Sequence, residues 1–294
     1  MKQMNGLITA LITPFKEGKI DFGSLEKLIK HQIDRGVSGF VVNGTTGESP
    51  TLSDIEVQNL FKFCQKMVPK AFPLILGTGT NSTQTTIEKT RMAAELGADS
   101  ALVVVPYYNK PPQRGLFKHF SEVANCGGIP VILYNVPGRT ITSLDVDTVV
   151  SLSENRNIIG IKEASGKVQI AAELRKACRK DFLLLSGDDG TYVEFLEAGG
   201  DGVISVASHV IPDQMKRWRD LFLSGDVKRA YQESARWRAL LNLLCVEANP
   251  IPIKKAAQIL GLIESAELRL PLVELESKNA ELLREEMLKL GLIL

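Results

Sequence analysis

Short, nearly continuous apolar runs alternate with amphipathic stretches along the chain. The runs are Leu7–Ile12, Gly39–Val42, Leu74–Leu76, Ala101–Val105, Val131–Leu133, Ile158–Ile161, Phe182–Leu185 and Val203–Val206. Runs that are apolar at every position belong to strands buried on both faces, as in a parallel sheet. Between them, Leu25, Leu28, Ile29 and Ile33 form a helical stripe. Ser53 and Glu56 make a capping box before the next helix, and Gly97 closes the helix that carries Met92, Ala93 and Leu96. Helices also fit Ser143–Glu154, Val168–Arg179, Tyr192–Ala198 and Asp213–Leu223, with a weaker pattern between Tyr107 and Ile129.

Strands that alternate with helices in this way predict an α/β fold, a closed (β/α)8 TIM barrel. A doubly wound open sheet is the alternative, but no Gly-rich dinucleotide fingerprint follows the first run. After Val206 the chain continues well past the roughly 15 residues that a last barrel helix needs. The surplus carries helical patterns at Val227–Val246, Ile253–Leu260 and Leu272–Leu290. The expected organisation is a catalytic barrel over residues 1–224 and a C-terminal helical extension over residues 225–294. The extension is assigned a structural or interfacial role and no chemistry.

Composition narrows the function class. The chain of 294 residues is 44% hydrophobic and 23% charged with a formal net charge of +1. No basic patch speaks for a nucleic-acid partner. The cysteines Cys64, Cys126, Cys178 and Cys245 are not in C-x-x-C spacing and read as thiols in a reducing compartment. His31, His119 and His209 are too scattered for a metal site, and His31 and His119 read as surface residues. The apolar stretch near the N-terminus is too short to span a membrane and is followed by no cleavage site, which predicts a cytoplasmic location.

Reactive groups of such a barrel gather at the C-terminal ends of its strands. The second run ends in Asn43-Gly-Thr45-Thr46-Gly-Glu48, a turn that suits either a carboxylate cradle or a plain Gly-rich loop with capping threonines. The fourth ends in Pro106-Tyr107-Tyr108-Asn109, phenols that relay protons or simply pack. The fifth ends in Tyr134-Asn-Val-Pro-Gly-Arg139, a strand-end phenol with an arginine that grips a carboxylate or sits on a surface turn. The sixth ends in Lys162, after four apolar or small residues. Desolvation favours a free amine, and a free amine attacks carbonyls; the bland alternative is a lysine reaching out to solvent. Gly187 and Ile204 offer backbone groups near the same mouth, and Asp188 reads as a helix cap. Taken together, a carboxylate cradle, a phenol and an amine point to Schiff-base chemistry on a 2-oxo acid, with the phenol moving protons to and from the carbinolamine.

These residues resemble the dihydrodipicolinate synthase and N-acetylneuraminate lyase family. The likeness runs from Gly6 to about Leu272 and is carried by Gly44-Thr-Thr-Gly-Glu48, Pro106-Tyr-Tyr-Asn109, Tyr134-Asn-Val-Pro137 with Arg139, Gly160-Ile-Lys-Glu163, Leu185-Ser-Gly-Asp-Asp189 and Asn249-Pro-Ile-Pro252. The resemblance implies that Lys162 forms an imine with pyruvate and that Tyr134 is the general acid/base. It implies that Thr45 and Thr46 bind the pyruvate carboxylate and pass protons, and that Tyr108 of a second subunit completes a Thr46–Tyr134 relay. Arg139 would bind the carboxylate of the second substrate, and Gly187 and Ile204 would line the pyruvate site. The arginine follows the pattern of the synthases, so the implied reaction joins pyruvate to L-aspartate 4-semialdehyde in the diaminopimelate route to lysine. No cofactor and no metal is implied; the implied assembly is a homotetramer, a dimer of dimers. The lysine feedback positions depart from the pattern: Asp54, Val57 and Thr85 stand there, with Asn81 and Tyr107 kept. Weak or absent lysine inhibition is therefore expected. A sugar-acid lyase of the same family and a non-catalytic 2-oxo-acid sensor are the competing readings.

Overall fold

The computed structural model describes residues 2–294. Among them, eight strands close into one barrel: β1 (Gly6–Ala10), β2 (Gly39–Val42), β3 (Leu74–Gly77), β4 (Ser100–Val104), β5 (Val131–Asn135), β6 (Ile158–Glu163), β7 (Leu183–Ser186) and β8 (Gly202–Ser205). Each strand lies beside its successor, and β8 returns to β1. The pairings from β3 to β8 are parallel. Every apolar run therefore lies on a barrel strand, and each strand is buried along all or nearly all of its length, as continuous apolar runs require.

One irregularity decides which side chains share a face. Val131 of β5 is opposite Ile158 of β6, but Ile132 is opposite Gly160, so Ile159 is an extra residue in β6. With an unbroken register Tyr134 would align with Ile161. Side chains alternate along a strand, so the phenol and the Lys162 amine would then lie on opposite faces. The bulge sets Tyr134 opposite Lys162 instead. Gly160 makes room for it: a Cβ there would lie 2.6 Å from the Leu183 carbonyl oxygen.

The helices follow the apolar stripes. Helix Phe22–Asp34 buries Leu25, Leu28 and Ile29 and is capped by the Asp21 side chain, which accepts from the Ser24 N–H. Helix Asp54–Met67 starts with the full Ser53–Glu56 capping box, which is worth about 1 kcal/mol. The weak pattern after Tyr107 resolves into helix Gln113–Cys126. The C-terminal segment departs from expectation twice. Val227–Val246 is two helices, Val227–Ala235 and Arg238–Leu243, because the Arg236 N–H bonds back to Glu233 and Ser234 and tightens the last turn. The stretch from Leu272 is not helical until Ser277. There the Glu247 carboxylate accepts from the Glu276 N–H and caps helix Ser277–Lys289.

By packing, the chain falls into two units: residues up to 8, 39–41 and 70–205, and residues 9–38, 42–69 and 206–294. The first unit has a core that includes Val103, Leu133, Ile161 and Leu184 from neighbouring strands, with Leu116, Phe120 and Leu174 from helices packed on it. The second carries the last residues of β1 and helix Phe22–Asp34, the end of β2 with the turn and helix after it, and the C-terminal helices. The histidines are less superficial than expected. His119 is buried on its helix with Nδ1 2.9 Å from the Thr83 hydroxyl, and burial pushes its pKa down to about 4. His209 is wholly buried, its Nε2 accepting from the Ile12 N–H, and burial pushes it to about 4 as well. His31 is half-buried.

Candidate active site

Lys162 is only 5% exposed, and its Nζ lies 4.4 Å from the centre of the Tyr134 ring. Tyr134 is buried too. Among the described residues no carboxylate forms an ion pair with the Lys162 ammonium, although Glu163 is its neighbour in sequence. The reason is that Glu163 is already engaged. Its Oε2 accepts from Asn135 Nδ2 at 2.8 Å and its Oε1 from the Ser165 N–H at 2.6 Å. Asn135 in turn accepts from the Leu144 N–H. A cross-strand amide–carboxylate pair thus ties the ends of β5 and β6 directly after the phenol and the amine. Hydrogen bonds from donors to a buried carboxylate are the strong kind, so this pair holds the two strand ends firmly.

β7 comes close to the same amine. The Gly187 N–H donates to the Glu163 carbonyl, and a Cβ on Gly187 would lie 2.9 Å from Lys162 Cε and 2.5 Å from Ala164 Cβ. Only glycine leaves space beside the amine there. Ile204, on β8, is fully buried. Arg139 sits on the short helix Pro137–Thr140 with its side chain exposed. Tyr108 is 86% exposed and has φ +73°, a left-handed conformation unusual for a bulky residue. Next to it, Asn81 donates to the Tyr107 carbonyl and Asn109 to the Asn81 carbonyl.

The turn after β2 is built in a different way. Thr45–Gly47 forms a 3-10 turn in which Thr46 is buried and Thr45 half-buried. Thr46 Oγ1 accepts from Asn249 Nδ2 at 2.9 Å, and Thr13 Oγ1 donates to the Gly47 carbonyl. Glu48 ends the turn at φ +58° and is wholly buried. Its Oε1 pairs with Lys254 Nζ at 2.5 Å, and its Oε2 accepts from the Arg269 N–H. Lys254 also donates to the Glu267 carbonyl and lies 4.2 Å above the Phe15 ring. The Arg269 guanidinium packs on the same ring and grips Glu56, whose pKa it lowers to about 2.

Sequence reasoning named Lys162, Tyr134, Thr45, Thr46, Arg139, Tyr108, Gly187 and Ile204. The structure brings Lys162, Tyr134 and Gly187 together. What it adds is the supporting set: Asn135 with Glu163, and Asn249, Lys254 and Arg269 with Glu48. A signal for Lys254 lay in the chain. It falls on the buried face of helix Ile251–Ile259 with Ile251, Ile253, Ala256 and Ala257, and a lysine on a core-facing stripe needs a partner. Among the described residues no group of three or more His, Cys, Asp or Glu is placed to hold a metal, and no helix is long and apolar enough to cross a membrane.

Comparison with known proteins gives a consistent picture. Residues 3–289 match the model of the Dihydrodipicolinate synthetase family. A 4-hydroxy-tetrahydrodipicolinate synthase of Bdellovibrio bacteriovorus is 58% identical over 293 residues, which cover 100% of both chains. The crystal structure of a dihydrodipicolinate synthase from Thermotoga maritima superposes with a TM-score of 0.96 at 40% identity, over 98% of this chain and 99% of that one. A monomeric dihydrodipicolinate synthase variant superposes with a TM-score of 0.96 at 40% identity, over 98% of this chain and 97% of the other.

Proposed function

The chain belongs to the dihydrodipicolinate synthetase family, and from that premise we propose that it catalyses the reaction of the 4-hydroxy-tetrahydrodipicolinate synthases, joining pyruvate to L-aspartate 4-semialdehyde through an imine on Lys162. The observation that carries the reading is the buried Lys162 amine beside the Tyr134 phenol with no ion pair to hold it.

The amine adds to C2 of pyruvate to give a carbinolamine, which loses water to become the imine. Each stage moves a proton, and Tyr134, whose ring centre lies 4.4 Å from the nitrogen, serves as the acid/base. Loss of a proton from C3 turns the imine into an enamine. The enamine carbon attacks the aldehyde carbon, forming the new C–C bond and regenerating the imine, while the aldehyde oxygen takes a proton from the Tyr134 phenol. The substrate's own amino group then displaces Lys162 and closes the ring. Thr45 and Thr46 hold the pyruvate carboxylate and pass protons with Tyr134. Arg139 takes the second carboxylate, for which a two-pronged guanidinium is suited. Gly187 and Ile204 bound the pyruvate pocket, the glycine because any side chain would crowd the amine.

Tyr108 belongs to the same proposal. Its side chain is exposed, and so available to complete the relay of a neighbouring subunit in a homotetramer of two dimers. Residues 1–224 act as the catalytic barrel and 225–294 as its extension, in the cytoplasm. With Thr85 in place of an acid, lysine lacks a charged partner worth roughly 1.5–3 kcal/mol, and half-inhibition is expected only above millimolar lysine.

Borohydride reduction with pyruvate, followed by peptide mass mapping, tests the core of the proposal. The adduct belongs on Lys162 and is absent from Lys162→Ala. A reduced adduct on another lysine sinks the mechanism. Pyruvate consumption with aspartate semialdehyde, set against pyruvate release from sialate or 2-keto-3-deoxygluconate, separates synthase from sugar-acid lyase.

A further inference from the structure

We propose that the C-terminal segment, residues 249–269, is part of the working apparatus: Asn249 sets the direction of the Thr46 hydroxyl proton, and the buried Glu48–Lys254–Arg269 cluster holds the turn from which that hydroxyl projects. The inference rests on the imine reading above and deepens it by naming positioning residues for its proton relay.

A threonine hydroxyl has one proton and two lone pairs. Asn249 Nδ2 donates to Thr46 Oγ1 at 2.9 Å. That contact occupies a lone pair and directs the Thr46 proton away from the amide, leaving it for the relay. The contact spans more than two hundred positions of sequence, so it exists only because the segment after Asn249 is anchored. The anchor lies two residues beyond Thr46. The Glu48 carboxylate, with no exposed surface, meets Lys254 Nζ on one oxygen and the Arg269 N–H on the other. Lys254 is held further by the Glu267 carbonyl, and both cations pack on Phe15. Glu48 sits at φ +58°, a conformation that a non-glycine residue keeps only when its surroundings impose it. Stability alone is a weak reason for the cluster, since a buried ion pair is often replaceable by apolar residues without loss. Holding one turn in one geometry is what such a network does well.

The polarity of the Asn249 contact gives a test that packing cannot imitate. Asn249→Asp keeps the shape but turns the donor into an acceptor, so the Thr46 proton is drawn to the new carboxylate. Asn249→Ala only removes the contact. The expected kcat is about 10-fold below wild type in Asn249→Ala and about 100-fold below in Asn249→Asp, with KM for pyruvate within about threefold. Asn249→Ser, which retains a donor, recovers part of the loss of the alanine variant. For the anchor, the charge-free pair Glu48→Gln/Lys254→Met is expected to fold, by circular dichroism and melting, yet to run with kcat about 10-fold down.

Wild type is carried through borohydride trapping in parallel. If wild type forms no adduct, the imine reading fails; if it does and the variants follow wild type, this inference alone fails. A kcat for Asn249→Asp equal to or above that of Asn249→Ala overturns the role of Asn249. Should the aspartate variant not fold, Asn249→Ser no better than Asn249→Ala overturns it equally. Full activity in the charge-free pair overturns the anchor.

Discussion

Among the described residues two lysines are buried, and they are solved in opposite ways. Lys254 is sealed from solvent with a carboxylate at 2.5 Å, a carbonyl to accept another of its protons and the Phe15 ring 4.2 Å away. Lys162 has an aromatic ring at almost the same distance, 4.4 Å, but no carboxylate in an ion pair and a glycine where a side chain would crowd it. Both rings shield an apolar stem and attract a cation. The difference is that one ring carries a hydroxyl and the other does not. A buried ammonium with anion, carbonyl and inert ring is a strut. A buried lysine with no anion, a phenol beside it and a glycine where a side chain would crowd it can make a covalent bond without dismantling an ion pair. Burial alone therefore says little about which lysine is placed to react; the partners make the distinction.

The largest effect that would break the comparison is at Lys162. Lys162→Ala is expected to lower kcat by at least about 10⁴-fold while leaving the melting temperature within a few degrees, because no ion pair is lost. A Lys162→Ala protein that still condenses at a tenth of the wild-type rate would make the two lysines alike. Lys254→Met shows the reverse profile. It strands the Glu48 carboxylate in the interior and is expected to cost about 3–5 kcal/mol of stability, measured by urea unfolding, while the folded fraction still traps pyruvate on Lys162. Next comes Tyr134→Phe, which gives Lys162 the same kind of ring as Lys254. Stability should hardly move, and kcat should fall roughly 10²–10⁴-fold through lost proton transfer. If instead the variant unfolds readily and keeps its rate, Tyr134 is packing, as Phe15 is.

The barrel and the lysine at a strand end were legible in the chain because both rest on local pattern. Eight continuous apolar runs predict eight buried strands, and a lysine at the end of one stands out. The facing of Tyr134 and Lys162 was not legible: it depends on one extra residue in β6 at Ile159, which leaves no mark beyond Gly160. Nor was the work of the C-terminal segment. Asn249, Lys254 and Arg269 meet Thr46 and Glu48 across some two hundred residues, and periodicity carries no information about such contacts. The single helix expected over Val227–Val246 divides because the break is made by backbone hydrogen bonds at Arg236, not by a proline or glycine.

The smallest effect sharpens the comparison most. Lys254 faces two opposed forces: burial disfavours its charge, and Glu48 favours it. Burial is the larger, and its pKa is lowered from 10.5 to about 8. Between those values an unfolded chain holds the Lys254 proton while the folded chain sheds it. Stability therefore rises with pH across this window by the amount this group contributes, and below about pH 8 its cost is constant. The Glu48→Gln/Lys254→Met protein lacks the group, and its other lysines titrate as in wild type. Urea unfolding of both proteins from pH 6 to 10.5 is thus expected to give a difference that is flat to about pH 8 and then moves in favour of wild type. A difference that instead stays flat to about pH 10 and only then turns against wild type would mean that Glu48 outweighs burial and that Lys254 holds its proton more tightly than an exposed lysine. The strut would then be an ion pair in the full sense, and the contrast with the unpaired Lys162 would be greater still.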